Sequence, residues 1–205
     1  MEATPGLRER KKQRTREAIV EAAFELFDER GFDGTTVADI AERAEIAPRT
    51  FFAYFPTKDD VVFHDFEEKY AQVETWLRER ETGTNAFDAL RAGIEGSLEA
   101  PDDAHLREKD CRIRMVRESE SLAAHDQFLM RRFAGLVGEA VAEDLGVPAD
   151  DVGPRLVSAA MATAIEIMRD SPDTDDLESA RRTLDTLLAF LRGGVAALQD
   201  QTGGD

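Results

Sequence analysis

Arg49, Thr50 and Tyr54 stand close together in the stretch Pro48-Arg-Thr-Phe-Phe-Ala-Tyr-Phe-Pro56, and the pattern around them turns all three outward. A guanidinium, a hydroxyl and a phenol on one outer helix face make a set of groups for polar recognition. The residues before them, Thr36-Val-Ala-Asp-Ile-Ala-Glu-Arg-Ala44, read as another short helix, with a tight turn between the two at Glu45-Ile46. Two short helices joined this way have the layout of a helix-turn-helix, whose second helix enters the major groove of DNA.

Catalytic chemistry has less to work with. His64, His105 and His125 are scattered, and the chain has neither an HExxH pair nor a glycine-rich phosphate loop. Cys111 is the only cysteine, which excludes an intrachain disulfide and a Cys-rich metal site, and it has no evident histidine partner in sequence. His64, Asp65 and Glu68 could ligate a metal, but a solvated helix face explains them more simply. No metal and no cofactor is expected. An acid–base pair assembled in space stays open as an alternative, as does a helical interaction protein that does not bind DNA.

A second group of charged residues lies further on. Arg112, Arg114 and Arg117 fall in the run Cys111-Arg-Ile-Arg-Met-Val-Arg117, which turns Met115 and Val116 inward, and Arg131 and Arg132 follow in the next helix. Such guanidiniums could receive a carboxylate or phosphate of an anionic ligand. Salt bridging to Glu108, Asp110, Glu118 and Glu120 is the simpler reading.

Positioning these groups requires a helical scaffold, and the composition supplies one. The chain has 205 residues, 42 % apolar and 34 % charged, without alternating runs of β-branched residues. An all-α fold of about nine helices is expected. No apolar run approaches the roughly 18 residues of a membrane span, and no secretory signal is evident, so a cytoplasmic, non-membrane protein is expected. The net charge of −17 is unevenly spread. Residues 7–16 hold Arg8, Arg10, Lys11, Lys12, Arg14 and Arg16 against Glu9 alone, whereas the chain beyond residue 55 carries nearly all the negative excess. A basic tip on an acidic body suits a protein that touches phosphate only with its head; a solubilising tail is the competing explanation.

Residues 1–6 are expected to be disordered. A first helix then runs to about Arg30, with Ile19, Val20, Ala23, Phe24 and Phe27 on one face and Gly31 as its C-terminal cap. Thr36 and Asp39 form a capping-box-like pair for the next helix. Pro48 suits the first position of the third, and Phe51, Phe52 and Phe55 are expected to fill the core of a three-helix head. A fourth helix is expected from Lys58 to about Arg80, unbroken, along the stripe Val62, Phe66, Tyr70, Val73 and Leu77. Further helices are expected near 86–99, 104–118, 120–145, 152–169 and 175–199. The last two carry wide apolar faces, including Leu156, Ala160, Met161 and Ala164 on one and Leu184, Leu187 and Leu191 on the other. Either they pack within one chain or they form a four-helix interface in a two-fold dimer.

The head resembles the TetR family of one-component transcriptional regulators. The matching residues include Ala22-Ala23-Phe24-Glu25-Leu26-Phe27, Gly31-Phe32, Thr35-Thr36-Val37, Asp39-Ile40-Ala41, Thr50-Phe51-Phe52, Tyr54-Phe55 and Lys58. The wording from Pro48 to Lys58 is similar to an actinobacterial subgroup tied to mycofactocin gene clusters. The resemblance implies a DNA-binding head over residues 1–56 and a ligand-binding and dimerisation body over 57–200. It implies a DNA face of Arg49, Thr50 and Tyr54, with Arg49 suited to a guanine edge and the two hydroxyls to phosphate. Thr36 and Lys58, at helix starts, and the arm residues Arg10, Lys11, Lys12 and Arg14 would add phosphate or minor-groove contacts. The implied pocket draws on Phe66, Tyr70, Phe87, Ile94, Arg112, Met115, Phe128 and Arg131. The implied function is a ligand-responsive repressor, a homodimer released from a palindromic operator in double-stranded DNA by an amphipathic or acyl-type effector. Two positions depart from the family pattern: Glu45 stands where the turn usually has glycine, and Ala47 where a Ser or Thr caps the recognition helix.

Overall fold

The computed structural model describes residues 6–97, 103–170 and 177–202, and every regular element among them is helical. In chain order these are α1 (Leu7–Arg30), α2 (Val37–Arg43), α3 (Pro48–Phe51), α4 (Asp59–Val62), α5 (Phe66–Arg78), α6 (Ala86–Ser97), α7 (Asp103–Glu118), α8 (Glu120–Leu145), α9 (Val152–Asp170) and α10 (Leu177–Thr202). The expected disorder of 1–6 falls, Gly6 apart, outside the described residues, as do Pro101-Asp102 and Ser171-Pro172-Asp173. Among the described residues no helix is long and apolar enough to cross a membrane.

One element differs from the sequence expectation. The unbroken fourth helix is two helices, α4 and α5, separated by Phe63-His64-Asp65, which brings the expected nine helices to ten among the described residues. Phe63 leaves the helical region at φ −110, ψ 30, and its neighbours are held from outside the helix. Arg16 of α1 donates to the His64 carbonyl, and the Phe63 ring lies 4.9 Å from that of His125. No glycine or proline marks the break, and the apolar stripe runs straight through it, so periodicity alone could not show it.

The described chain packs as two units. One holds residues up to Asp65 together with Arg107–His125; the other holds Phe66–Leu106 and the residues from Asp126 onward. In the first, α1 packs on α2 and α4, and α2 on α3. Its core includes Ile19, Leu26, Phe27, Ile40, Phe51, Val61 and Val62, all essentially inaccessible. Arg43 ties α2 to α1, meeting Glu25 at 2.8 Å and Glu29 at 3.1 Å. In the second, α5 packs on α6, and α10 on α6 and α9. Phe87, Leu90, Val137, Val141, Met161, Leu184 and Leu188 share its core. Asp144 of α8 accepts the Ala86 N–H at 2.7 Å, which satisfies one of the free donors at the start of α6. Arg80 clamps the same carboxylate at 3.2 Å.

Candidate nucleic-acid interface

The recognition element is built outward from its turn. Thr36 opens α2 with a complete capping box: its hydroxyl accepts the Asp39 N–H at 3.2 Å, and Asp39 accepts the Thr36 N–H at 2.8 Å. The hydroxyl of Thr36 also donates to Asp39 and, with the backbone bond, holds that carboxyl below the usual range. At its other end α2 closes in a Schellman motif. The Ile46 N–H reaches the Ala41 carbonyl at 2.9 Å, and the Glu45 N–H reaches that of Glu42 at 3.1 Å. That geometry needs a left-handed residue, and Glu45 adopts φ 54, the sole non-glycine residue with positive φ among those described. The glycine missing from the family pattern is therefore replaced at a small conformational cost rather than by a different turn. Ala47 precedes α3 without a side-chain cap bond, and Pro48 takes the first helical position.

Phe51 and Phe55 anchor α3 from beneath, fully buried and with ring centroids 5.9 Å apart. Above them Arg49 is exposed, and Thr50 and Tyr54 are half-buried with outward-facing edges. The regular α-helix ends at Phe51, after which three-residue bonds carry the chain on: Ala53 N–H to the Thr50 carbonyl at 3.1 Å and Tyr54 N–H to that of Phe51 at 2.9 Å. Phe52 departs from expectation. It is 56 % exposed rather than part of the core, because Phe51 and Phe55, four residues apart, take the buried side and Phe52 stands beside that row.

The basic residues divide into two groups. Arg8, Arg10, Lys11, Lys12 and Arg14 are exposed on the first turns of α1. Arg16 is turned inward, its guanidinium 4.8 Å over the Phe55 ring. Lys58 is likewise internal: its ammonium donates to the carbonyls of Phe32 and Thr35 at 2.6 and 2.9 Å. Burial pushes that ammonium below its ordinary value, against the pull of Asp33 and Asp59. Sequence gave no sign that Arg16 and Lys58 serve the fold, since both sit among residues of ordinary surface type.

The predicted metal and ligand positions assemble differently. His64 and Asp65 meet Glu108, not Glu68, with ligand-type atoms within 4.8 Å of one another. Arg112 already neutralises this group, pairing with Glu108 at 2.7 Å and Asp65 at 3.3 Å. Burial alone would raise the Glu108 carboxyl; the His64 hydrogen bond and the Arg112 charge override it and hold it low. Burial also pushes the Cys111 thiol up, which keeps it in the unreactive form. Among the eight expected pocket residues, Arg112 and Met115 belong to the first unit and the other six to the second. There Phe87 is core, Tyr70 and Ile94 pack against it, and Phe128 and Arg131 face outward. Arg132, not Arg131, lies over the rings of Phe66 and Tyr70, at 5.2 and 4.7 Å. An open groove of about 570 Å³ between α6 and α10, lined by Asp88, Arg91, Asp185 and Arg192 among others, includes none of the eight.

The expected dimer faces also divide. Met161, Leu184 and Leu191 are buried within the single chain, and Ala160, Ala164 and Leu187 are partly covered. Leu156 remains 59 % exposed, joined on α9 by Val152 and Ile167 and on α10 by Phe190, at 73 %.

Comparison with known proteins bears on these features. Residues 19–64 match the bacterial regulatory proteins of the TetR family, and residues 84–196 match the MftR C-terminal domain. The chain is 32 % identical over 161 residues to the HTH-type transcriptional regulator TcmR of Streptomyces glaucescens, spanning 76 % of this chain and 71 % of TcmR. It is 28 % identical over 152 residues to MftR of Mycobacterium tuberculosis, a regulator named for mycofactocin biosynthesis, spanning 74 % and 76 % of the two chains. The solved structure of Thermus thermophilus FadR, a TetR-family repressor in complex with lauroyl-CoA, superposes with a TM-score of 0.53 at 24 % identity over 87 % of this chain and 94 % of that one. These relatives are transcriptional regulators, not enzymes. The capped α2, the Schellman turn and the outward α3 are thus the helix-turn-helix of a chain that belongs to the TetR family of bacterial regulatory proteins, with a C-terminal domain of the MftR type.

Proposed function

We propose that this DNA-binding transcriptional regulator acts as a cytoplasmic homodimer that represses from a palindromic operator and is released by a small molecule. The observation that carries the DNA reading is α3 itself: Arg49 exposed on a ridge whose underside is locked by Phe51 and Phe55. Arg49 reads a guanine edge, Thr50 and Tyr54 bond phosphate, and Arg10, Lys11, Lys12 and Arg14 supply salt-dependent attraction. Thr36 and Lys58 support this face from within, as the helix cap and as the internal cation described above. Functionally the head is residues 1–56 and the effector and dimer body is 57–200.

Dimerisation falls to α9 and α10, where Leu156, Ile167 and Phe190 are left uncovered in the single chain. The candidate effector-site residues are Phe66, Tyr70, Phe87, Ile94, Phe128 and Arg131 of the second unit; Arg112 and Met115, the other two candidates, belong to the first. An amphipathic acyl thioester is the class to screen first. Arg131, exposed on α8, suits an anionic group, and the FadR neighbour was solved with lauroyl-CoA. Because the chain breaks at 63–65, release does not travel along one rigid helix. It acts on the ties at the break, where His64 and Asp65 meet α7, and where Asp59 accepts the Ser121 hydroxyl of α8 at 2.8 Å.

Selection of duplexes from a random pool by the full chain, repeated with a panel of acyl thioesters, tests the proposal. An inverted repeat released by one thioester is expected. Selection of no duplex refutes the DNA reading, and release by no member of the panel refutes the acyl effector.

A further inference from the structure

Phe52 differs from the two phenylalanines that flank it on the recognition element. Phe51 and Phe55 are buried, whereas more than half of Phe52 faces solvent. Its ring meets that of Phe51 edge to face, with centroids 5.5 Å apart, which fixes its direction. Around it bonds of both three and four residues occur, Ala53 N–H to the Thr50 carbonyl and Phe55 N–H to that of Phe51. Arg49 lies three residues before Phe52, in the α-helical part of the element, and residues three apart on a helix are neighbours on one face, so Phe52 and Arg49 share one outward ridge. Pro48 and Ala53, both exposed, flank them. The ridge therefore presents one cation in an apolar setting. Duplex DNA offers one apolar group in the major groove, the C5 methyl of thymine.

We propose that Phe52 is a specificity-determining residue that packs against a thymine methyl next to the base read by Arg49. The inference rests on the DNA-binding reading above. Three residues of α-helix advance about 4.5 Å along the axis, against about 3.4 Å per base step. The thymine therefore lies within two steps of the Arg49 base. Arg49 selects by hydrogen bonds and Phe52 by shape and dehydration, so adjacent positions are read by different physics.

The test uses the full chain and the operator recovered by selection. Each thymine of a half-site is replaced in turn by deoxyuridine, which removes one methyl and leaves every hydrogen-bonding group in place. Affinities are read by fluorescence anisotropy for the wild type, Phe52→Ala, Phe52→Leu and Arg49→Ala. One replacement, within two steps of the guanine whose preference Arg49→Ala loses, is expected to weaken the wild type about fourfold, the effect of one methyl at about 0.8 kcal/mol. Phe52→Ala should bind the thymine and uracil duplexes equally, and Phe52→Leu should keep part of the preference. Because Phe52 lies outside the core, all three variants should melt with the wild type. Should Phe52→Ala bind too weakly to measure, Phe52→Leu decides, by a preference smaller than that of the wild type. Indifference of the wild type to every replacement overturns the proposal, as does an equal loss in wild type and both Phe52 variants. Absence of binding to any duplex by the wild type would instead refute the DNA reading on which it stands.

Discussion

Lys58 and Phe32 are bonded twice over: the ammonium lies 3.9 Å from the centre of the Phe32 ring and donates to the carbonyl of the same residue at 2.6 Å. With the bond to Thr35, one cation holds the segment between α1 and α2, and so sets where α2 begins. Lys58→Met should cost about 2 kcal/mol, since charge-assisted bonds contribute about 1.5–3. At about 2–4 °C per kcal/mol for a chain of this size, melting should fall by about 4–8 °C. The salt dependence of operator binding should not change. The reverse pattern, an unchanged melt and a shallower salt slope, would make Lys58 a phosphate contact.

Glu45 occupies the left-handed position of the turn at φ 54. A side chain there costs about 1–2 kcal/mol, partly offset in a glycine variant by the greater freedom of the unfolded chain. Glu45→Gly should therefore stabilise the protein by up to about 1 kcal/mol. Glu45→Ala keeps the strain and should not. Thermal melts of the two without DNA decide, and equal shifts would mean that charge, not backbone, is responsible.

How much of this was legible in sequence depended on the range of the interactions. The capping box of Thr36 and Asp39, the Gly31 cap and the need for φ > 0 at Glu45 are local, and each was visible because neighbouring residues settle it. The break at Phe63–Asp65 was not, because it depends on Arg16, more than forty residues earlier, and on His125. Phe52 misled by its type: it matches the two core phenylalanines that flank it, but those stand four apart on the buried side and Phe52 lies beside their row. The body was least legible. Its stripes on α9 and α10 are two faces each, and the pattern does not say which meets its own chain.

Glu108 links the 63–65 break to α7, and its carboxyl is held below its ordinary value by His64 and Arg112 against the effect of burial. A depressed folded pKa means the unfolded chain binds the proton more readily. The stabilisation is thus fully present above the unfolded value of about 4.3 and is lost as pH falls through the folded one. Glu108→Gln should flatten the acid limb of the stability curve. Urea melts from pH 6 downward test this; parallel acid limbs in wild type and variant would exclude Glu108 as the titrating group.

The uncovered residues on α9 and α10 distinguish dimer contacts from core. Leu156→Arg with Phe190→Arg should leave the protomer folded, since both side chains face out, but place charge in the dimer contact and yield monomers that no longer hold a two-fold operator. Met161→Ala, in contrast, should cost about 2–5 kcal/mol of stability as a core truncation and leave the dimer contact intact. Sedimentation velocity with parallel melts separates the two effects. A wild type that sediments as a monomer at micromolar concentration would dismiss the interface.

Arg49 and the α1 cations should differ in kind, one reading sequence and the others charge. Arg49→Ala should lose about 1–3 kcal/mol on the selected operator and relax the preference at one position per half-site. Deleting residues 1–12 removes Arg8, Arg10, Lys11 and Lys12. It should leave preferences unchanged while making the slope of log K against log salt shallower by up to about 0.9 per lost phosphate contact. Arg16→Ala is the internal control. That guanidinium sits over Phe55 and on the His64 carbonyl, so the variant should lower the melting temperature and leave the salt slope of the folded protein alone. A slope that responds to Arg16→Ala but not to the deletion would reverse the assignment, placing Arg16 on the phosphates and leaving the exposed tip as a solubilising segment.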